Sequence, residues 1–280
     1  MPRPRAYPSV LLLAGAGLTA AIAERLADEL SAHFEVRGPW NSDFTIHSAD
    51  DALALLDAAD VDQAHVVGLS FGGVVAQETA IRQPERVRSL VLGATTAGGP
   101  LYVPPEPRVR HFVRRLGELP PEEGLWASVP YLYAAETRRE RAPLIGEDIA
   151  RRLTKPVHAR AYRRQHTYAR AHDASRRLER ITMPTLVVHG EQDRVVPFEN
   201  ARLLASAVAG AQLVTLPGGA HAFLTDAPSA QRELVSFLLA HSPRRANSAP
   251  ARSGRPTDPG RPADPGRPAD VVRTARADRA

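Results

Sequence analysis

Between residues 64 and 76 the chain reads Ala64-His65-Val66-Val67-Gly68-Leu69-Ser70-Phe71-Gly72-Gly73-Val74-Val75-Ala76. A short apolar run breaks at Gly68, sets Ser70 among small residues and resumes with helical patterning. A strand that turns at once into a helix needs residues without bulk at the bend. Gly68 and Gly72 flank the serine at the spacing G-x-S-x-G, the spacing of a nucleophile elbow. Such a turn pushes the hydroxyl clear of the backbone, while the next backbone N–H and the helix N-terminus face any negative charge that forms beside it. An ordinary Gly-Ser turn would share the pentapeptide; the strand before it and the helix after it are the context the motif requires.

The rest of the chain repeats that strand–helix rhythm. Val10 to Ala14 reads as a buried strand and Gly15-Ala16-Gly17 as a loop. Leu18 to Ala32 has Leu18, Ile22, Leu26 and Leu30 at four-residue intervals, a helix pattern. Phe34 to Val36 is a short strand, Arg37 to Phe44 a loop, and Ser48 to Ala59 a helix with Asp50 and Asp51 in its first turn, where carboxylates suit the helix dipole. Ala64 to Leu69 is the strand before the serine, Val74 to Arg82 the helix after it, and Val87 to Leu92 a further buried strand. From Thr95 to Leu178 no buried strand is evident. That stretch is rich in Arg, Pro and Tyr, with helix-like pieces at 108–116, 149–153 and 159–171, and reads as a helical insertion. The rhythm resumes with strands at 184–188 and 212–216 and helices at 200–208 and 229–239. The pattern predicts an α/β fold, a mostly parallel sheet with helices on both faces. Its core is expected at 9–94 and 179–241, with a helical cap at 95–178 and an Arg/Pro/Asp-rich tail at 242–280.

Charge matters only once it is located. The net charge of +5 is matched by the stretch from Pro243 to Ala280, which holds nine Arg and four Asp. The body is therefore near neutral and offers no net basic field to draw nucleic acid. In the tail Arg-Pro-x-Asp-Pro-Gly occurs twice from Arg255, then once in part. Nothing apolar there can repay ordering, so the tail is expected to be disordered. The chain has no cysteine, which excludes disulfides and thiolate metal sites. No apolar run reaches the length of a membrane span. A cytoplasmic location is expected. A competing reading of residues 1–23 is a signal peptide, with Arg3 and Arg5 ahead of an apolar stretch that ends in Ala21-Ile22-Ala23; Gly15 and Gly17 weaken that stretch.

Two later segments give the serine partners. His189-Gly190-Glu191-Gln192-Asp193 follows the strand ending at Val188, and Gly218-Gly219-Ala220-His221 follows the strand ending at Leu216. In an open parallel sheet the loops after strand C-termini gather along one edge, where sites form. A serine hydroxyl needs a histidine to take its proton, and a carboxylate to hold that histidine in the right tautomer. Glu191 is a weaker acid candidate, Asp226 is expected to cap the last helix near Pro228, and His189 is expected to pack beneath the site. The histidines show no metal-ligand spacing, and no metal or cofactor is expected.

With these motifs the chain resembles the α/β-hydrolase fold superfamily, of the group that carries a helical cap. The resemblance spans roughly residues 9 to 241. It implies Ser70 as nucleophile, Asp193 as acid and His221 as base, in the family's chain order. Ser70 stands where relatives that open epoxides or remove halides carry aspartate, which points to acyl transfer. The oxyanion hole departs from the pattern: Ala14-Gly15-Ala16 replaces His-Gly-x, and the backbone N–H groups of Ala16 and Phe71 are assigned as donors. The family's first two strands have no counterpart, and a loop that usually reads Asp-x-Arg-x-x-Gly-x-Ser shrinks to residues 37–42. The expected activity is a serine hydrolase, carboxylesterase- or lactonase-like, cleaving a small ester, lactone or related carbonyl through an acyl-enzyme. The expected partner is a small-molecule substrate, with neither nucleic acid nor membrane. Arg114, Arg115, Arg151, Arg152, Arg163 and Arg164 of the cap could receive an acidic substrate group, against the simpler reading of a solvated helix face. Two alternatives stand beside this. One is a catalytically decayed binding protein of the same fold. The other is a dinucleotide-binding Rossmann protein, since Gly15-Ala16-Gly17-Leu18-Thr19-Ala20 fits G-x-G-x-x-[GA], although only Glu35 is near enough to hold a ribose.

Overall fold

A computed structural model describes residues 7–15, 18–38, 46–154 and 159–243. The six strands it contains are β1 (Ser9–Leu13), β2 (Glu35–Arg37), β3 (Ala64–Leu69), β4 (Val87–Gly93), β5 (Thr185–Gly190) and β6 (Gln212–Leu216). They form one sheet in the order β2-β1-β3-β4-β5-β6, and every neighbouring pair is parallel. That order differs from the 3-2-1-4-5-6 of a dinucleotide-binding Rossmann sheet. Parallel strands need helical crossovers; in the core α1 (Leu18–Leu30), α2 (Ala49–Ala58), α3 (Phe71–Arg82) and α9 (Glu199–Ala207) supply them, and α11 (Ser229–Ala240) follows the last strand.

The central strands are buried on both faces, so their sequences read as near-continuous apolar runs. Alternate residues feed two cores. Val10, Leu12, Val67, Leu69, Val91 and Val188 pack with Ile22 and Leu26 of α1 and Leu234 and Leu238 of α11. Leu11, Leu13, Val66, Leu90, Leu92 and Val187 pack with Leu56 of α2, Val75 of α3 and Leu204 of α9. Cleavage after Ala23 would remove β1, which is hydrogen-bonded on both sides.

Local chemistry sets the start of α2. Ser48 is the N-cap of α2: its hydroxyl accepts from the Asp51 N–H at 3.3 Å, and Asp51 accepts from the Ser48 N–H at 3.0 Å, a reciprocal capping box. Helix α3 begins at Phe71, three residues earlier than its periodicity predicts, because the chain turns within Ser70 itself. Between β4 and β5 lie α4 (Pro107–Arg115), α5 (Pro121–Leu132), α6 (Ala135–Glu140), α7 (Ala142–Thr154) and α8 (Ala159–Ala171). Helices α5 and α6 have no counterpart in the sequence reading. Pro130 inside α5 is a local signal against helix, and α6 has too few residues for a period. A short helix, α10 (Phe223–Asp226), follows β6. Just after α11, Ser242 donates to the Leu238 carbonyl at 2.8 Å and lies 3.0 Å from His65 Nε2 of β3. Among the described residues no strand pairs with the outer side of β2, and no helix is long and apolar enough to cross a membrane.

Candidate active site

The elbow is a place where the backbone is forced and glycine is required. Ser70 has φ 54° and ψ −118°, a left-handed conformation that L-residues avoid. Its N–H donates to the Gly93 carbonyl at 2.8 Å. Its own carbonyl accepts from the Gly73 N–H at 2.9 Å and the Thr95 hydroxyl at 2.8 Å. The helix approaches the neighbouring strand so closely that a Cβ on Gly72 would lie 2.1 Å from the Leu13 carbonyl oxygen. On Gly68 it would lie 2.5 Å from the Gly72 carbonyl oxygen. Thr95 fell at the expected start of the insertion, and its part in bracing the elbow has no local sequence signal.

Ser70 follows β3, Asp193 follows β5 and His221 follows β6, all at the strands' C-terminal edge. His221 Nε2 lies 3.0 Å from Ser70 Oγ, and His221 Nδ1 lies 2.7 Å from Asp193 Oδ2. The other oxygen of Asp193 accepts from the Val195 and Val196 N–H groups, both at 2.8 Å. Asp193 and His221 are buried, whereas Ser70 is partly open. Burial pushes the Asp193 carboxyl up, but the charge of His221 and the hydrogen bonds from His189 and His221 outweigh it. The carboxyl is held well below the usual carboxylate range. The arrangement can pass the serine proton to an imidazole whose far nitrogen already meets a carboxylate.

His189 sits nearer than expected. Its Nε2 is 2.8 Å from the Val196 carbonyl, to which it donates, and 3.2 Å from Asp193 Oδ2. It therefore knits the acid loop rather than packing passively beneath it. Glu191 is exposed and its N–H pairs with the Leu216 carbonyl, so it takes no part. Asp226 does not cap α11, whose N-cap position is Pro228 with no side-chain bond. It is buried, and its carboxylate instead accepts from the Ala220 N–H at 2.8 Å and the Ala134 N–H at 3.1 Å. Phe71, the first residue of α3, directly follows the serine, and its amide is one of the four that a helix start leaves without intrahelical partners. The other assigned oxyanion donor, Ala16, lies outside the described residues, as do positions 39–42 of the shortened loop.

The space beside Ser70 and His221 is narrow and apolar, lined by Ile22, Leu69, Ala94, Phe223 and Leu224. None of the six arginines expected to meet an acidic substrate group lines it: Arg115 pairs with Glu118 and Arg151 with Asp28, while Arg163 and Arg164 are exposed. A roomier recess of about 520 Å³ lies among Asp57, Asp62, Glu85 and Arg86, at the opposite, N-terminal edge of β3 and β4. Its size does not make it the site, because it holds no nucleophile–base pair. Among the described residues no group of His, Asp or Glu could hold a metal ion.

A parallel sheet with helices on both faces, with a strained serine, a histidine and an acid at its C-terminal edge, defines the α/β-hydrolase class. The chain belongs to the alpha/beta hydrolase family, whose model matches residues 10–234, and it is a hydrolase. It is similar to a Pseudomonas syringae protein named as carbamate hydrolase RutD, with 35% identity over 204 residues, 70% of this chain and 76% of that one. It is also similar to a poly(3-hydroxyalkanoate) depolymerase of Ectopseudomonas oleovorans, with 30% identity over 71% of this chain and 70% of the relative. Among solved structures, a hydrolase from Pseudomonas aeruginosa PA01 superposes with a TM-score of 0.67 at 27% identity, covering 83% of this chain and 90% of that one. An esterase from Thermogutta terrifontis has the same fold, with a TM-score of 0.68 at 22% identity over 84% of this chain and 91% of its own.

Proposed function

We propose that this chain is a serine hydrolase that cleaves a small carbonyl substrate, an ester, lactone or carbamate, through an acyl-enzyme. The observation that carries this is the continuous path from Asp193 through His221 to Ser70, at 2.7 and 3.0 Å. His221 Nε2 takes the Ser70 proton as Oγ adds to the carbonyl carbon, and returns it to the leaving group. Asp193 holds Nδ1–H and offsets the imidazolium charge. The amide of Phe71, with that of Ala16, donates to the oxyanion; one such donor is typically worth about 3–4 kcal/mol in the transition state. Water then enters by the same base and releases the acid. The narrow apolar space at Ser70 favours a small acyl group, and the relatives named carbamate hydrolases bring carbamates in beside esters and lactones. The helices between β4 and β5 act as a cap that shapes substrate choice.

A fluorophosphonate probe is expected to label Ser70 and to block hydrolysis of p-nitrophenyl acetate. Ser70→Ala should abolish labelling and lower kcat by about 10⁴- to 10⁶-fold. A folded wild-type chain that is neither labelled nor faster than Ser70→Ala would overturn the proposal and leave a binding protein of the same fold.

A further inference from the structure

The segment that carries His221 is fastened on both sides to the insertion. The Ala222 N–H donates to the Leu132 carbonyl at the end of α5, at 2.7 Å. On the other side, the Ala220 N–H donates to Asp226 Oδ2 at 2.8 Å. The same carboxylate accepts from the Ala134 N–H, just before α6, at 3.1 and 3.2 Å, and from the Thr137 hydroxyl. Arg141 donates to the Asp226 main-chain carbonyl at 3.0 Å. Thr225 donates to Asp148 Oδ2 of α7 at 3.0 Å. Tyr133 donates to that oxygen at the same distance, and Arg25 of α1 to the other oxygen of Asp148. Asp148, Asp226, Thr225 and Tyr133 are all buried.

We propose that Asp226, with Thr225 beside it, positions His221 for proton transfer by bolting its segment to residues 132–148 of the insertion. The proposal rests on the serine hydrolase reading for the reaction that His221 serves. Every group facing the Asp226 side chain is a donor, which only a carboxylate satisfies on both oxygens. An amide oxygen at the Oδ2 position would still accept from Ala220, but its NH₂ would then stand 3.1 Å from the Ala134 N–H, donor against donor, and weaken that end of the bridge. Burial pushes the Asp226 carboxyl up, and the Thr137 hydroxyl and the two amides oppose that. Cap and base are thus one mechanical unit on this side. Residues 132–148, from the end of α5 into α7, are thereby held against the segment of the base. Proton transfer over 3.0 Å is sensitive to placement: a displacement near 1 Å is enough to cost about 100-fold.

The test compares full-length wild type, Asp226→Asn and Thr225→Val. Steady-state hydrolysis of p-nitrophenyl acetate is expected to show kcat per folded molecule reduced about 10- to 100-fold in Asp226→Asn, with KM within about twofold. Thr225→Val should show a smaller loss of the same kind. Proton NMR supplies a readout independent of turnover: the downfield resonance of the His221 Nδ1–H shared with Asp193 should broaden or vanish in Asp226→Asn. A folded Asp226→Asn with wild-type kcat and an unchanged resonance, lowered only in Tm, overturns the proposal. If Asp226→Asn does not fold, wild-type kcat in both Thr225→Val and Tyr133→Phe overturns it instead. A wild type that hydrolyses nothing, yet loses the resonance on substitution, sinks the hydrolase reading and leaves the positioning role standing.

Discussion

Gly72 shows how one missing carbon sets the geometry of the site. The elbow can hold Ser70 at φ 54° only because α3 lies against the end of β1. A methyl group at position 72 would meet a main-chain oxygen, which has no rotamer through which to retreat. Gly72→Ala is therefore expected to push α3 off β1. Ser70 would move relative to His221, activity should fall at least 100-fold, and stability should drop by about 2–4 kcal/mol, read by urea denaturation and ester turnover. Gly146, where a Cβ would meet open space, is the control and should tolerate alanine with little change. His189 carries a subtler tension. Its Nδ1 is buried with no hydrogen-bond partner, a cost that the bond from Nε2 to the acid loop offsets.

Helix α3 carries the serine at one end and is clamped along its length by the returning end of the insertion. Glu78 on α3 accepts from His172 Nδ1 at 3.0 Å and from Arg177 through both oxygens, at 2.6 and 2.9 Å. Burial alone would raise this carboxyl, but the hydrogen bonds from His172 and Arg177 bring it down to about 2, from an ordinary 4.5. A depressed carboxyl contributes stability that is fully present above its unfolded value and lost as pH falls through the folded one. Glu78→Gln is thus expected to cost about 1–3 kcal/mol at pH 7, a range lowered because Arg177 is partly exposed. The gap between wild type and variant should begin to close below about pH 4.5 and be gone near pH 2, measured by denaturant titration across that range. A gap that stays constant down to pH 2 would assign the cost to packing instead.

Across the whole chain, acid should act through a second buried group. His65, on β3, lies 2.7 Å from Ser89 Oγ on the neighbouring strand and meets the ring of Phe34 edge-on. Burial first, then the charges of Arg88 and His241, lower it to about 4 from an ordinary 6.5. A histidine kept uncharged in the folded state gives stability that is complete above pH 6.5 and drains away as pH falls toward 4, because only the unfolded chain gains the proton. Up to about 3 kcal/mol is at stake in that window, enough to lower Tm by several degrees in a chain of this size. His65→Gln should have a lower Tm at pH 7 and a flatter profile between pH 6.5 and 4, followed by calorimetry.

Much of this architecture could be read from the chain because it is written locally. Apolar runs of five or six residues mark strands buried on both faces, a four-residue leucine repeat marks α1, and two glycines around a serine mark a turn that no bulkier residue could make. The order of serine, acid and histidine, each just past a strand, follows from parallel topology, since parallel strands put those loops on one edge. Proline and short length hid α5 and α6, as local patterns are weak where a helix carries its own breaker or spans fewer than two turns. The contacts that bring the site together lie beyond any local pattern. Ser70 and His221 are 151 residues apart in the chain, Asp226 and Ala134 are 92 apart, and Arg25 and Asp148 are 123 apart. A carboxylate near a helix start looks like a cap until the folded chain brings a distant donor against it. Neighbours in sequence suggest a helix cap for Asp226, and neighbours in space, Ala134 and Ala220, fix the contacts it makes.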